Sequence, residues 1–591
     1  MWRRSFLSLI SQTVGAVALL PAARSAAAPC WLDVCAPLII QDTTLGIDSE
    51  IVLTADNFVG ANGYADGADA TDYEIYLYDA AGRSFGENGI ARRLTAKAMQ
   101  TTVIPVSELV GPTASFWGGM RIRLRPQTRT PTHASDLFSS AFVRWKSRDS
   151  FTNVHANPDP LEWQRADSFF YSMPFPPLSS YDGFYSIFNP YDEPSTGTLT
   201  LYDQLGAKLA ELPYDLKPHA SLLVDLRRGD YVRDVKGALT PRDNSRVRNH
   251  AMQHSAAMQG GGTIAVTNRR ASLKNFGYLF IKQIAGPKFS VEHPIHQPPY
   301  NPAPARTPFD AAGRFKAQNI LYTPLLFRAK KLGGITLESR FHFSSGAPVE
   351  EVLWLNPFIT DGNGSVAWQT GDGSKLPASI SEKQIERGAI RLPGQQSCIF
   401  DCAQLTLPKG FSGGLSLAIT PLSNHTLMKV ELTAVEWKAT AFTHFRPGLA
   451  AARSYQKPSS RAGLATDYIV SGASLIGESG KMRRDEIIAV INIDDKNTAG
   501  NPTLEIFSSN GLLARQPLGA VPAFSCRHYL LSQLLSEKIR AHDLSLRLVD
   551  EQATLLMSVL HLDYARRDIA ADHGSDRFST FTEFTCKSEG A

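Results

Sequence analysis

A row of two-layer antiparallel β-sandwiches of Ig-like kind is the all-β fold class that this sequence predicts, and three observations predict it. Short runs alternate apolar and polar side chains and stop at Gly, Pro, Asn or Asp, the pattern of half-buried strands closed by tight turns. No long stretch carries a helical period, 530–540 being the main candidate. The same kinds of segment also return in one order four times, which describes an array of repeats rather than one large core.

The segments can be followed along the chain. An apolar strand ending in Asn beside a turn residue occurs as YSIFNP (185–190), VLWLNP (352–357) and IAVINI (488–493). An alternating strand followed by Gly, the signature of a hairpin, occurs as EIYLYDAAG (74–82), TLTLYDQLG (198–206), SVAWQTGDG (365–373) and TLEIFSSNG (503–511). Next come TTVIPV (101–106), PHASLLVDL (218–226), PGQQSCIFDC (393–402) and PAFSCRHYLL (522–531). A final strand pair begins at GGMRIRLRP (118–126), GGTIAVTN (261–268), GGLSLAITP (413–421) and LSLRLVD (544–550). The modules so defined are 35–155, 156–284, 309–445 and 454–586. Residues 285–308 read as a stiff linker, since HPIHQPPYNPAPARTP (293–308) holds six prolines and cannot continue a ladder.

The first residues read as a targeting leader, cleaved after Ala27. The apolar run 6–20 is interrupted by Ser8, Ser11, Gln12 and Thr13, and is too short for a membrane span. Arg3-Arg4-Ser5-Phe6-Leu7 resembles the twin-arginine signal, and that resemblance implies export to the periplasm, the cell surface or beyond. Removing Arg3, Arg4 and Arg24 with the leader lowers the formal charge from +4 to +1. So small a charge predicts no nucleic-acid partner, and leaves a protein or a cell-surface polysaccharide as the expected one. The six cysteines, Cys30, Cys35, Cys398, Cys402, Cys526 and Cys586, predict disulfides in an exported chain, with Cys30–Cys35 and Cys526–Cys586 preferred. Cys398 and Cys402 need a bend to pair, because four residues of strand outreach a disulfide.

Three constellations carry possible chemistry. NHAMQHSAAMQGGG (249–262) offers His250, Met252, His254 and Met258, ligand types suited to copper. The interval from the third segment to the Gly-Gly pair is 17 residues in the first and third modules but 41 in the second, so this motif lies in an inserted loop, and a solvated loop is the plainer expectation. Asp56, Asp66, Asp69 and Asp72 form an oxygen-rich loop that could hold calcium, though Asp, Asn and Gly make turns without an ion. His561, Asp563, His573 and Asp576 supply acid–base or metal-hydrolysis types, with Arg566, Arg567 and Arg577 nearby as ordinary salt-bridge partners. Trp354, Trp368, Tyr181 and Tyr185 are candidates for stacking on sugar, against core filling as the common fate of strand aromatics. No GxSxG, HExxH or phosphate-cradling loop occurs. The expectation is an exported binding or structural protein with no cofactor, and the alternatives are a hydrolase or a metal-dependent protein.

Overall fold

The computed structural model describes residues 31–573 except 55–69, 98–99, 114, 128–140, 159–168, 233–248, 269–275, 294–307, 318, 347–350, 371–375, 421–425, 448–468, 479–480, 536–540 and 551–554. Within these residues the chain is built of antiparallel sheets, and one eight-strand plan recurs four times. In the first unit the strands are Leu32–Gln41, Asp48–Thr54, Thr71–Asp79, Arg92–Ala96, Thr101–Pro105, Phe116–Pro126, Ala141–Lys146 and Phe151–His155. One sheet runs fourth-third-sixth-first and the other fifth-second-seventh-eighth.

The second unit repeats that order with Phe169–Phe175, Tyr181–Phe188, Ser195–Asp203, Lys208–Leu216, Ser221–Asp225, Gly262–Asn268, Phe276–Gln283 and Phe289–Glu292. The third uses Asn319–Arg328, Ile335–Ser345, Val352–Thr360, Ala389–Pro393, Ser397–Asp401, Phe411–Thr420, Thr426–Ala434 and Ala439–His444. The fourth uses Ile469–Glu478, Lys481–Asn492, Thr503–Ser508, Gly511–Pro517, Cys526–Leu530, Ala541–Val549, Leu555–Asp563 and Asp568–His573, and its first strand also pairs with its second, joining the two sheets.

Two sequence expectations shift. Phe289–Glu292, the eighth strand of the second unit, lies inside the stretch read as linker, and it escapes notice because it is short and runs straight into prolines. VLWLNP belongs to the third strand of its unit and VAWQ (366–369) is a hairpin partner of that strand; the second strand is Ile335–Ser345, whose Arg340 and His342 break the apolar pattern. Of the expected helical stretch 530–540, the described part forms a single turn, Leu531–Leu534, and 536–540 lie outside the described residues. Among the described residues no helix is long and apolar enough to cross a membrane.

The units are not a string. Phe184, Leu223, Tyr278, Phe280, Phe289 and Val291 of the second unit complete the apolar core of the first. Ile487, Ala489, Leu560, Leu562, Ile569 and Ala571 of the fourth complete the core of the third. The Gly-Gly pairs explain part of this docking: a Cβ on Gly119 would lie 2.2 Å from the Phe188 ring and one on Gly414 would lie 2.4 Å from Ile491 Cδ1, so only glycine admits the neighbouring unit there. The other two seams are more polar. Tyr181 donates to Glu431 (2.9 Å) and Thr263 meets Ser344 (2.6 Å) between the second and third units. Arg144 meets Asp543 (3.1 Å) and Thr101 meets Ser545 (2.9 Å) between the first and fourth. Two apolar pairs of sandwiches therefore close into one ring.

Candidate functional site

The four eighth strands line the middle of this ring, each touching the next. Ser150 Oγ reaches the Phe289 carbonyl (3.1 Å) and the Val291 amide donates to Thr152 (3.3 Å). The Phe442 amide donates to Ser290 (3.3 Å), and Asn153 donates to Asp572 (2.9 Å). Each of these strands pairs in a ladder with its own seventh strand, and these links between neighbouring eighth strands run through polar side chains.

The strands share a detail that the sequence did not advertise. Counting five residues from Ser150, Lys288, Ala439 and Asp568 arrives at His155, His293, His444 and His573. The intervening residues FTNV, FSVE, TAFT and IAAD match nowhere in all four, so the histidine alone is repeated. All four are buried, at 3 to 7 % exposure. Their rings form a closed square: His155–His293 4.1 Å, His293–His444 4.7 Å, His444–His573 4.1 Å and His573–His155 5.1 Å between centroids, with His293–His573 6.0 Å across. Neighbouring rings meet steeply, at 63° to 89°. One ligand atom each from His155, His293 and His573 lies within 4.8 Å of the others, and the same holds for Glu292, His293 and His444.

Charged groups surround the square. Lys429 Nζ bonds Glu292 Oε1 (2.7 Å) and the His293 carbonyl (2.6 Å), and Arg446 Nη1 donates to the Met557 carbonyl (3.3 Å). His444 Nδ1 lies 3.1 Å from Glu292 Oε1. His155 Nδ1 lies 3.3 Å from the Ala156 carbonyl, which accepts only from an N–H, so its Nε2 carries the lone pair. Burial pushes the His155 imidazole down to about 4, and burial with the charges of Lys429, His155 and Arg446 holds His444 well below its ordinary value. Burial likewise lowers Lys429 to about 8 against the pull of Glu292, and raises the carboxyls of Glu292 and Asp572. A small cavity beside Glu292 and Lys429, also lined by His342 and Phe442, has room for about one water molecule.

The residues singled out from sequence fall elsewhere, His573 excepted. His561 is buried against Glu486 (2.6 Å), and Asp563 is held by Arg484 (3.1 Å) and Arg566 (2.8 Å). On the seventh–eighth ladder His561 faces Ala570 while His573 faces Ser558, three positions away, so the two imidazoles project from opposite faces of the sheet. Asp576 lies outside the described residues. The expected hydrolytic cluster is thus divided between a salt-bridge network and the ring centre.

The His and Met loop is divided too. Asn249 caps a short turn, His250–Gln253, by accepting from the Ala251 amide (2.9 Å). Met252 is fully buried in the core of the second unit and Met258 packs against that core, whereas His250 and His254 are exposed with their rings 4.4 Å apart. Apolar thioethers are drawn inward and imidazoles outward, so a joint copper site does not form. Asp56, Asp66 and Asp69 lie outside the described residues, and Asp72 accepts from Thr95 (2.7 Å), Gln127 (3.0 Å) and Arg125 (3.1 Å) as an ordinary surface acid.

Cys398, Cys402 and Cys526 are buried; Cys398 and Cys402 are not joined to each other, and Cys586, the expected partner of Cys526, lies outside the described residues. Cys526 donates to the Pro324 carbonyl (3.3 Å), and burial pushes the Cys398 thiol up to about 12. Cys35 is buried, while its expected partner Cys30, like Cys586, lies outside the described residues. Trp368, Tyr181 and Tyr185 are buried and fill cores rather than line a groove, and half-buried Trp354 packs on Phe309 (5.6 Å). No protein-family model and no curated protein matches the chain.

Proposed function

We propose that this is an exported, non-enzymatic protein whose four sandwiches form one rigid ring, acting as a structural or binding element in the bacterial periplasm or at the cell surface. The observation that carries this reading is where the reactive side chains sit. Buried His, Asp and Glu are spent on the seams between units: Tyr181–Glu431–His342 joins the second and third, and Ser150–Asp568 joins the first and fourth. Glu431 shows the use made of them: burial raises its carboxyl, but His342, Arg340 and Tyr181 outweigh that and hold it below its ordinary range.

Contact with a partner falls to the outside of the ring. The fourth strands Lys208–Leu216 and Gly511–Pro517 are largely exposed edges. Leu205, Val366, Leu512 and Leu513, four of the five most exposed large apolar side chains among the described residues, belong to the hairpins built on the third strands. An exposed edge of this kind accepts a partner strand through backbone hydrogen bonds, and its apolar side chains add affinity. The partner is a protein or a surface polysaccharide. A photo-crosslinking residue at Leu513 should capture a partner from the envelope fraction of the native cell, and the same residue at buried Leu560 should not. Turnover of an ester, glycoside or phosphate ester that is lost in His561→Ala would overturn the non-enzymatic reading.

A further inference from the structure

The geometry points to a metal site at the ring centre: we propose that His155, His293, His444 and His573 together bind one late first-row divalent ion, copper(II) foremost. This goes beyond the structural role and does not depend on it.

The first ground is geometric. A metal about 2.0–2.1 Å from an imidazole nitrogen stands about 3.2 Å from the ring centroid, so four imidazoles at the corners of a square have centroids about 4.5 Å apart along the edges and about 6.4 Å across. The observed edges of 4.1, 4.7, 4.1 and 5.1 Å bracket the first value, and the His293–His573 diagonal of 6.0 Å falls slightly short of the second. A square of nitrogens is the arrangement copper(II) and nickel(II) favour, whereas zinc favours a tetrahedron. Ligand atoms of His155, His293 and His573 already lie within 4.8 Å of one another, somewhat wider than a square site around an ion; His444 stands outside that trio, beside His293 and Glu292, so its ring would have to turn in further than theirs on binding.

The second ground is the repeat. A purely apolar junction would be filled as well by Phe, and the flanking positions do vary in size and polarity, from Phe, Ile and Val to Ala, Ser, Thr, Asn, Asp and Glu. Only the imidazole recurs in all four units. The third ground is the outer sphere: His444 Nδ1 is turned to Glu292 and His155 Nδ1 to the Ala156 carbonyl, which directs the lone pair to Nε2 and fixes the rings as metal-bound histidines are usually fixed. Lys429 and Arg446 also stand near the centre; Lys429 Nζ bonds Glu292 and the His293 carbonyl, and Arg446 Nη1 donates to the Met557 carbonyl.

The site is enclosed, so the test loads the ion during folding. Full-length chain is refolded from urea with copper(II), nickel(II) or zinc(II) in turn, desalted and assayed by elemental mass spectrometry, and the copper form is studied by electron paramagnetic resonance. The expected result is about one copper per chain, with spectral splitting from at least three histidine nitrogens. His250→Ala/His254→Ala should leave both unchanged, and His293→Phe/His573→Phe should lower bound copper at least tenfold. Should that double variant fail to fold, the nitrogen splitting of the wild-type copper form decides alone. Less than about 0.1 equivalent of every ion, or copper with two or fewer histidine nitrogens, overturns the proposal.

Discussion

Replacing Asp568 by Asn tests the closure of the ring, because this side chain has its unusual surroundings only if the fourth unit meets the first. Its Oδ2 accepts from Ser150 Oγ (2.6 Å) and from the Phe151 amide (2.9 Å), and Lys288 Nζ lies 3.5 Å from Oδ1. Burial raises the carboxyl from 3.8 to about 6, against the opposing pull of Lys288 and these hydrogen bonds. The sign follows from linkage. Below pH 3.8 the carboxyl is protonated in both states and costs nothing. As pH rises toward 6 the unfolded chain releases its proton first, so the fold loses stability, and above 6 the loss is complete. A shift of about two pKa units at about 1.4 kcal/mol each makes that loss about 3 kcal/mol. Asn keeps an acceptor oxygen and cannot ionise. The stability of Asp568→Asn relative to wild type should therefore climb by about 3 kcal/mol between about pH 4 and pH 7, whatever its constant offset. Urea unfolding at half-unit pH steps measures this. A difference that stays flat within about 0.5 kcal/mol would mean that Asp568 is solvated and the seam open.

Three further outcomes are expected. Leu562→Ala, which removes a fourth-unit side chain from the core of the third, should cost about 2–5 kcal/mol in denaturant unfolding, and a cost under about 0.5 kcal/mol would deny the shared core. His528 donates to the Pro324 carbonyl (2.7 Å) and burial lowers it to about 4 from 6.5, so NMR titration should find it near 4. Because the imidazole is held neutral, stability is whole above pH 6.5 and falls by about 3 kcal/mol as pH drops to about 4; a titration near 6.5 would contradict its burial. Cys398 and Cys402, buried with raised thiol values, should resist alkylation in the native protein and react fully in denaturant. Mass spectrometry showing a Cys398–Cys402 disulfide would refute that.

How much of this could be read from residues alone follows from the range of the forces involved. Alternation and turn chemistry act over a few residues, and they place strands such as Thr503–Ser508 and Gly262–Asn268 where the segments TLEIFSSNG and GGTIAVTN stand. Where polar residues serve a seam instead of solvent, the pattern breaks. His342 in the second strand of the third unit is buried on Glu431, and its strand is correspondingly hard to see. The histidine square is non-local altogether: its members are separated by more than a hundred residues, and only the count of five from the closing turn of the last hairpin would have aligned them. His573 drew notice for its acidic neighbours, of which Asp563 turns out to serve two arginines. The Met252 and His254 pair kept a copper alternative open because ligand types in sequence say nothing of which side faces the core.

Small-angle scattering of the chain in solution bears most directly on the claim that the four sandwiches close on one axis. A compact body of this length should have a radius of gyration of about 25 Å, and the account expects that value. Four sandwiches laid end to end would give about 40 Å, and such a value would separate the four histidines and contradict the ring.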